Sequence, residues 1–481
     1  MVFVRRGGAG LLDMIFGSGR TGETGRANKR ARARFAIFLI FVGCCFLGGG
    51  GARDDVMSLL YLRPIAALSL VAIVAISDRI DLRPIAVPLI LLAAAAVLMV
   101  CQLIPLPPQV WTALPGRQPF AEGAAVLQIG QPWRPLSLAP DLTLNALTSL
   151  IVPLATLVGV SALSTGQRRR LVSVLLIGIA ASVMLAVAQL SGGPDSPFYL
   201  YKITNAGAAV GLFANRNHQA MLLALSLPLL AVAAASVGGD LRARQSKRLS
   251  LAALGAIIFV MILVTGSRAG LALGIVTALW SGVQYIEIAR TRAGAPPRAR
   301  AIIAAALVTC VACILVALFT YSRAESLRRL LGEDLLREQR ARSFSYLVEL
   351  IRNYFPFGSG LGTFDPVYRA TEPFGLLSTA YFNHAHNDLF ELMITGGLPA
   401  TLLLIGFVVW WARRSIAAYT AASAFAMLGS MIIFVLFAGS LVDYPLRTPA
   451  LEMVFMIACG WIARRNDHQQ GADRETASLR L

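Results

Sequence analysis

The chain has 481 residues, of which 57% are hydrophobic and 14% are charged, and its formal net charge is +18. Because soluble domains carry about 25% charged residues, this composition excludes an ordinary soluble domain and favours a membrane protein. The positive charge does not indicate a nucleic-acid partner. Most lysines and arginines lie in short clusters between apolar runs, where such clusters set the orientation of a membrane protein.

Apolar runs recur along nearly the whole chain and predict membrane-spanning helices. A helix needs about 20 residues to cross the hydrocarbon, and in lipid it must satisfy its backbone hydrogen bonds internally. We therefore expect an all-α fold, a polytopic transmembrane helical bundle of about 12 spans. The predicted spans are residues 35–52, 59–77, 84–104, 142–163, 171–190, 217–238, 250–266, 269–288, 301–320, 389–411, 416–439 and 446–463.

The charged residues predict the orientation of these spans. Residues 1–34 are expected to form a basic cytoplasmic tail, residues 35–463 the transmembrane domain, and residues 464–481 a second cytoplasmic tail. Every connection on the side of the two termini is basic, which marks that side as the cytoplasm of a bacterial inner-membrane protein. The clusters on that side are Arg79 and Arg83, Arg168–Arg170, Arg242–Arg248, Arg290–Arg300, and Arg413 with Arg414.

Three long connections lie on the opposite, periplasmic side, at residues 105–141, 191–216 and 321–388. The last is a large loop between spans 9 and 10, and its charged segment is expected to be partly helical. Because loops on a rigid scaffold usually carry function, we expect the functional site on the periplasmic side.

Two of the four histidines, His384 and His386, lie at the outer mouth of the tenth predicted span. Histidine is the side chain best suited to transfer protons near neutral pH. The His-x-His spacing with Asp388 also resembles a zinc site. No H-E-x-x-H sequence accompanies it, so we expect no metal.

The local sequence predicts how these histidines are held. Asp388, with Glu391 three residues later, is expected to cap the following helix, which places His386 just before its first turn. The run Gly396–Pro399 then predicts a kink, because proline lacks a backbone donor and glycine adds conformational freedom.

Two arginines lie near the outer ends of predicted spans, Arg216 at the start of one and Arg268 in a short turn between two others. Arginine close to hydrocarbon is costly and usually has a partner or a function. A planar guanidinium suits bidentate contact with phosphate. We expect both to hold a diphosphate, and the alternative is ordinary snorkelling to lipid headgroups.

Together these features resemble the O-antigen ligase and Wzy-type polymerase family, membrane glycosyltransferases of the GT-C type. The family carries a His, then Asn, Ser or Gln, then nine residues, and then G-x-x-G. Here nine residues separate His386-Asn387 from Gly397–Ala400, with Ala400 in place of the final glycine. The segments Gly211–Asn217 and Ser267-Arg268 are similar to two further family signatures, and the resemblance covers residues 170–440.

This resemblance implies a glycan donor on undecaprenyl diphosphate and an acceptor that is another glycan or lipid A-core. His386 would be catalytic and would orient or deprotonate the attacking hydroxyl, and the anomeric configuration would invert. Arg216, Arg268, Asn387 and His384 would contact the substrate. No cofactor or metal is implied, and the remaining partners are membrane lipids.

Three alternatives remain open. Ligase and polymerase use the same donor chemistry, so the motifs do not separate them. A transporter or flippase for a lipid-linked saccharide predicts charges deep within several spans, and few are present. A structural membrane protein without activity leaves the histidine motif and Arg268 unexplained.

Overall fold

A computed structural model describes residues 23–237, 240–293, 335–374, 377, 382–421 and 423–464. These residues are mostly helical, which confirms the expected all-α class, and they include one antiparallel pair of two-residue strands, β1 (Pro105–Leu106) and β2 (Arg134–Pro135). The α-helices are α1 (Glu23–Gly48), α2 (Leu59–Ala75), α3 (Ala86–Leu103), α4 (Pro108–Thr112), α5 (Gln118–Val126), α6 (Pro140–Ser149), α7 (Ile151–Ala162), α8 (Thr165–Ser191), α9 (Arg216–Ala235), α10 (Leu241–Val264), α11 (Arg268–Ala293), α12 (Leu335–Tyr354), α13 (Phe364–Thr371), α14 (Asp388–Thr420), α15 (Ala424–Ser440) and α16 (Pro449–Ala463).

Within the described ranges, eight helical segments are long and apolar enough to cross a membrane. Three shorter apolar helices, α2, α15 and α16, occupy three more of the predicted spans. The ninth predicted span, residues 301–320, lies outside the described residues, as do residues 1–22 and 465–481. Residues 23–34, the end of the predicted cytoplasmic tail, form the first turns of α1.

Helix α9 is the centre of the bundle, because it is apolar all round and buried along most of its length. It packs against α11, α10 and α15, and α15 packs against α16. The approach of α11 depends on Gly270, where an added Cβ would lie 2.2 Å from the Cβ of Ala220. The N-termini of α9 and α11 therefore lie side by side.

The long connections assemble at one end of the bundle. The backbone of Leu361 donates to the side chain of Gln102 at 2.8 Å. Arg117 is fully buried and donates to the carbonyl oxygens of Leu136 at 2.6 Å and Gly358 at 3.0 Å. Burial lowers the pKa of Arg117 to about 10, against the opposing effect of a nearby tyrosine. We call this the loop end.

The basic connections meet at the other end. Arg30 pairs with Asp78 at 2.6 Å, and Arg464 donates to the carbonyl oxygen of Ser161 at 2.9 Å. Successive connections thus alternate between the two ends, as the predicted order of spans requires. The assignment of this basic end to the cytoplasm stays a prediction.

A matched pair of cysteine variants tests that assignment. Gly130 is exposed at the loop end and Gly166 at the basic end, and an added Cβ would have no neighbour within 4 Å at either position. In intact spheroplasts, a membrane-impermeant maleimide is expected to label Gly130→Cys and to label Gly166→Cys only after lysis. The parent chain measures labelling of the native thiols. The reverse pattern would invert the topology.

The predicted kink in α14 is confirmed. Gly397 has φ 61° and ψ −154°, which is backbone that only glycine adopts readily. Pro399 cannot bond to the carbonyl oxygen of Thr395 four residues earlier. That oxygen instead accepts from the backbone N–H of Gly360 at 2.8 Å. The kink therefore creates a docking point for residues 355–363, which bring the preceding loop onto α14.

Helices α12 and α13 pack over this kink and form a second apolar cluster, separate from the main core. The helical character expected for the charged segment is confirmed from Leu335 onward. Phe382 and Ala385 are buried in the cluster, which fixes the chain on both sides of His384. The members are Tyr346, Leu347, Leu350, Tyr354, Phe364, Val367, Tyr368, Phe382, Ala385 and Ile394.

Candidate functional site

His386 lies in the turn that immediately precedes α14, as expected. Its φ of 49° is in the left-handed region, where histidine is one of the more tolerant residues. The predicted cap is wrong by one residue: Asn387, not Asp388, accepts from the backbone N–H of Phe390 at 3.1 Å. The Asn387 amide also donates to the carbonyl oxygen of Leu441 at 3.0 Å. Both polar atoms of the Asn387 side-chain amide therefore hold this turn in place.

A buried carboxylate holds the His386 ring. Nδ1 of His386 lies 3.2 Å from Oδ1 of Asp443, which is fully buried in the connection between α15 and α16. Because a carboxylate only accepts hydrogen bonds, Nδ1 is the donor in this contact, and Nε2 is the nitrogen that can accept a proton when the ring is neutral. In the described part of the chain, Nδ1 has this partner and Nε2 has none.

Asp443 is itself held by several donors. Its Oδ2 accepts from the side-chain amide of Asn217 at 2.6 Å and from that of Asn215 at 3.3 Å. Burial raises the pKa of Asp443, but the hydrogen bond from His386 and the neighbouring histidines outweigh it and hold the pKa well below its usual range. Asp443 is therefore an anion that accepts the hydrogen bond from Nδ1 of His386.

His384 has a different environment from His386. Its Nδ1 lies 3.0 Å from Oε1 of Glu391, and its Nε2 lies 3.4 Å from the carbonyl oxygen of Ala52. Both ring nitrogens of His384 therefore have a partner within the described protein. The two histidines, two residues apart in sequence, thus differ: Nε2 of His386 has no partner there, whereas both nitrogens of His384 have one.

Arg447 forms ion pairs with two carboxylates in the first turn of α14. Its Nε lies 3.1 Å from Oδ1 of Asp388, and its Nη2 lies 3.1 Å from Oε1 of Glu391. Burial lowers the pKa of Arg447, but Glu391 and Asp388 outweigh it and raise the pKa above its ordinary value. This ion-pair group joins the start of α14 to the connection before α16. Two of its members, Glu391 and Arg447, line a cavity of about 430 Å³ together with His384.

Tyr444 packs its ring against three histidines. The ring centroids lie 4.5 Å from His384, 4.9 Å from His386 and 5.1 Å from His218. His218 is fully buried, and its Nε2 lies 3.9 Å from Oδ1 of Asp443, beyond hydrogen-bond length. The connection before α16 therefore organises the histidines from one side.

Arg216 and Arg268 are the first residues of α9 and α11, whose N-termini lie side by side. Both side chains are exposed. Arg216 precedes the buried His218 by two residues, so it lies on the rim of the site. Helix N-termini and guanidinium groups both favour anions, and this arrangement is suited to a phosphate group.

Sequence reasoning missed Asp443 and Arg447 as site residues. The available signal was the placement of charged side chains between two apolar runs, which is costly without a partner. Within the described residues, no group of three metal-ligating side chains comes together. The two histidines of the His-x-His pair instead contact different carboxylates.

The fold and the site define a helical membrane protein with a histidine–carboxylate pair at its loop-rich end. Residues 253–405 match the family model described as O-Antigen ligase, which supports an O-antigen ligase-like family and confirms the predicted resemblance. No curated protein matches the chain. The match supports a membrane polysaccharide ligase or polymerase role. It includes Arg268 and His386, whereas Arg216 and Asp443 lie outside it.

Proposed function

We propose that this protein is an inner-membrane glycosyltransferase that acts at the periplasmic face on a glycan linked to undecaprenyl diphosphate. The observation that supports this most is the pairing of His386 with the buried anion Asp443, which leaves Nε2 of His386 without a partner in the described chain. Such a ring is arranged to accept a proton from a hydroxyl group.

The proposed reaction is a single displacement. The acceptor hydroxyl loses its proton to Nε2 of His386 as its oxygen forms a bond to the anomeric carbon. The bond between that carbon and the diphosphate oxygen breaks with its electron pair, so the configuration inverts and undecaprenyl diphosphate leaves as an anion. Asp443 stabilises the imidazolium that forms. No metal or cofactor takes part in this scheme.

We assign the leaving diphosphate to Arg216 and Arg268. Their exposed guanidinium groups stand at neighbouring helix N-termini, where both the fork geometry and the helix dipoles favour a phosphate oxygen. Asn387 and His384 were expected to contact the substrate. Their polar atoms are engaged within the protein, so we propose instead that they hold the turn that carries His386.

Arg268→Lys keeps the charge but loses the planar fork. The expected loss of transfer rate is about tenfold to a hundredfold, the range for a hydrogen bond to a charged group, and Arg216→Ala should act in the same direction. Transfer is measured with purified donor and acceptor. Arg242→Lys, exposed at the basic end, is the matched control. Full activity of both site variants would contradict diphosphate binding by these arginines and would leave ordinary contact with lipid headgroups as their role.

Glycan analysis of a deletion strain tests the function and separates its forms. Short, unpolymerised repeats would identify a polymerase. Intact polymer retained on undecaprenyl diphosphate would identify a ligase. The competing function is a flippase for a lipid-linked saccharide, and it predicts that lipid-linked glycan accumulates on the cytoplasmic side. That last result would contradict the proposal.

A further inference from the structure

An open apolar groove of about 640 Å³ lies between α2, α3, α6 and α7. These helices coincide with predicted membrane spans, and much of the groove lining is half-exposed, so the groove faces the space that lipid fills. Arg63 and Thr148 are the polar members of its lining. The apolar members include Ala67, Leu92 and Ile151.

Arg63, on α2, lies where this groove meets the cavity that contains His384 and Arg447, because Arg63 and Leu150 line both spaces. The membrane-facing groove therefore leads into the wall of the candidate site. An occupant with an apolar chain in the groove would present its head to the polar side chains of the cavity.

The guanidinium of Arg63 has capacity for an anion. Its Nη1 donates to two neutral groups on α6, the side chains of Asn145 at 2.7 Å and Thr148 at 3.0 Å. Its Nε is buried and has no hydrogen-bond partner among the described residues. Glu452 lines the same cavity. A buried, unpartnered charged donor is costly, and a phosphate oxygen would satisfy it.

We propose that this groove is a second lipid site, which binds a lipid carrying a phosphate or diphosphate, with its apolar chain between α2, α3, α6 and α7 and its phosphate on Arg63. The site is separate from Arg216 and Arg268, which line neither space. The inference rests on the proposed function only for the role of the lipid as a substrate, and its binding is independent of catalysis.

Photo-crosslinking tests the binding directly. The full-length chain, with p-benzoylphenylalanine in place of Ala93, is placed in phosphatidylcholine nanodiscs with radiolabelled undecaprenyl diphosphate, and separately with radiolabelled monophosphoryl lipid A. Ala93 lines the groove, whereas Val97 on the same helix is 61% exposed and lines neither the groove nor the cavity. The matched control carries the photoprobe at Val97.

We expect at least one of the two phosphate lipids to crosslink at position 93 about tenfold more than at position 97, and unlabelled diacylglycerol not to compete. Arg63→Leu should reduce that crosslink about tenfold, and Arg268→Lys should leave it unchanged. The lipid that crosslinks identifies the source of the phosphate. Equal labelling at positions 93 and 97 would overturn the proposal, as would competition by diacylglycerol or loss of the crosslink in Arg268→Lys.

The comparison of positions 93 and 97 is made in chains that keep Arg63. It therefore tests the lipid site even if the Arg63→Leu variant does not insert into the membrane. Crosslinking without glycan transfer would refute the proposed function and leave the lipid site standing. Glycan transfer without preferential crosslinking at position 93 would refute the lipid site and leave the proposed function standing.

Discussion

His386→Ala is expected to lower the rate of glycan transfer by about a hundred- to ten-thousandfold, the range for a positioned general base. The variant should still insert and accumulate normally. The His386 side chain is 15% exposed, and its one described polar partner, Asp443, keeps the amides of Asn217 and Asn215. Transfer is measured in nanodiscs with purified lipid-linked donor.

Two further variants make this result specific. His386→Asn removes the imidazole but suits the left-handed backbone at this position, where φ is 49°. It should therefore be as inactive as the alanine variant. His384→Ala should cost less activity, because Glu391 keeps its ion pair with Arg447.

The outcomes that would contradict this assignment are distinct. A fully active His386→Ala together with an inactive His384→Ala would assign the general base to His384 instead of His386. Activity should also survive EDTA, since the proposed scheme uses no metal. Loss on chelation with recovery on adding zinc would revive the metal site suggested by the His-x-His spacing.

Asp443→Asn is expected to reduce the transfer rate by about a hundred- to ten-thousandfold, although Asp443 is 57 residues from His386 in sequence. Asparagine removes the negative charge that stabilises the imidazolium. It can also present an N–H to Nδ1, which selects the tautomer with Nε2 protonated, and that ring is unable to accept a proton.

The kinetic constants separate loss of the anion from general structural damage. Because the Asp443 carboxylate acts on the charge that forms in the transition state, kcat should fall while KM for the donor stays near its parent value. The matched control is Asp78→Asn, which breaks an exposed ion pair with Arg30 at the basic end and should leave both constants unchanged. Wild-type activity of Asp443→Asn would remove Asp443 from the mechanism.

The sequence alone predicted much of the site where the signal was local. The turn before α14, the kink at Gly397 and the helical segment after Leu335 follow from residues within a few positions of each other. The cap was misplaced by one residue, because Asn387 and Asp388 are both good capping residues. Their roles separate through distant partners, since Arg447 engages Asp388.

The sequence by itself determined the segments of a membrane bundle. These are apolar runs of spanning length, basic connections on alternate sides, and a histidine next to a helix start. These are properties of single segments, set by the cost of exposing backbone and charge to lipid. The tertiary structure alone decided which histidine has a ring nitrogen without a hydrogen-bond partner among the described residues. It brings Asp443 to Nδ1 of His386, and it places Arg63 in the lining of two cavities. These features depend on how α2, α14 and α16 pack, because His386 and Asp443 are 57 residues apart and packing alone brings them within hydrogen-bond reach. The contact between His384 and Glu391 is local by comparison, since seven residues separate them.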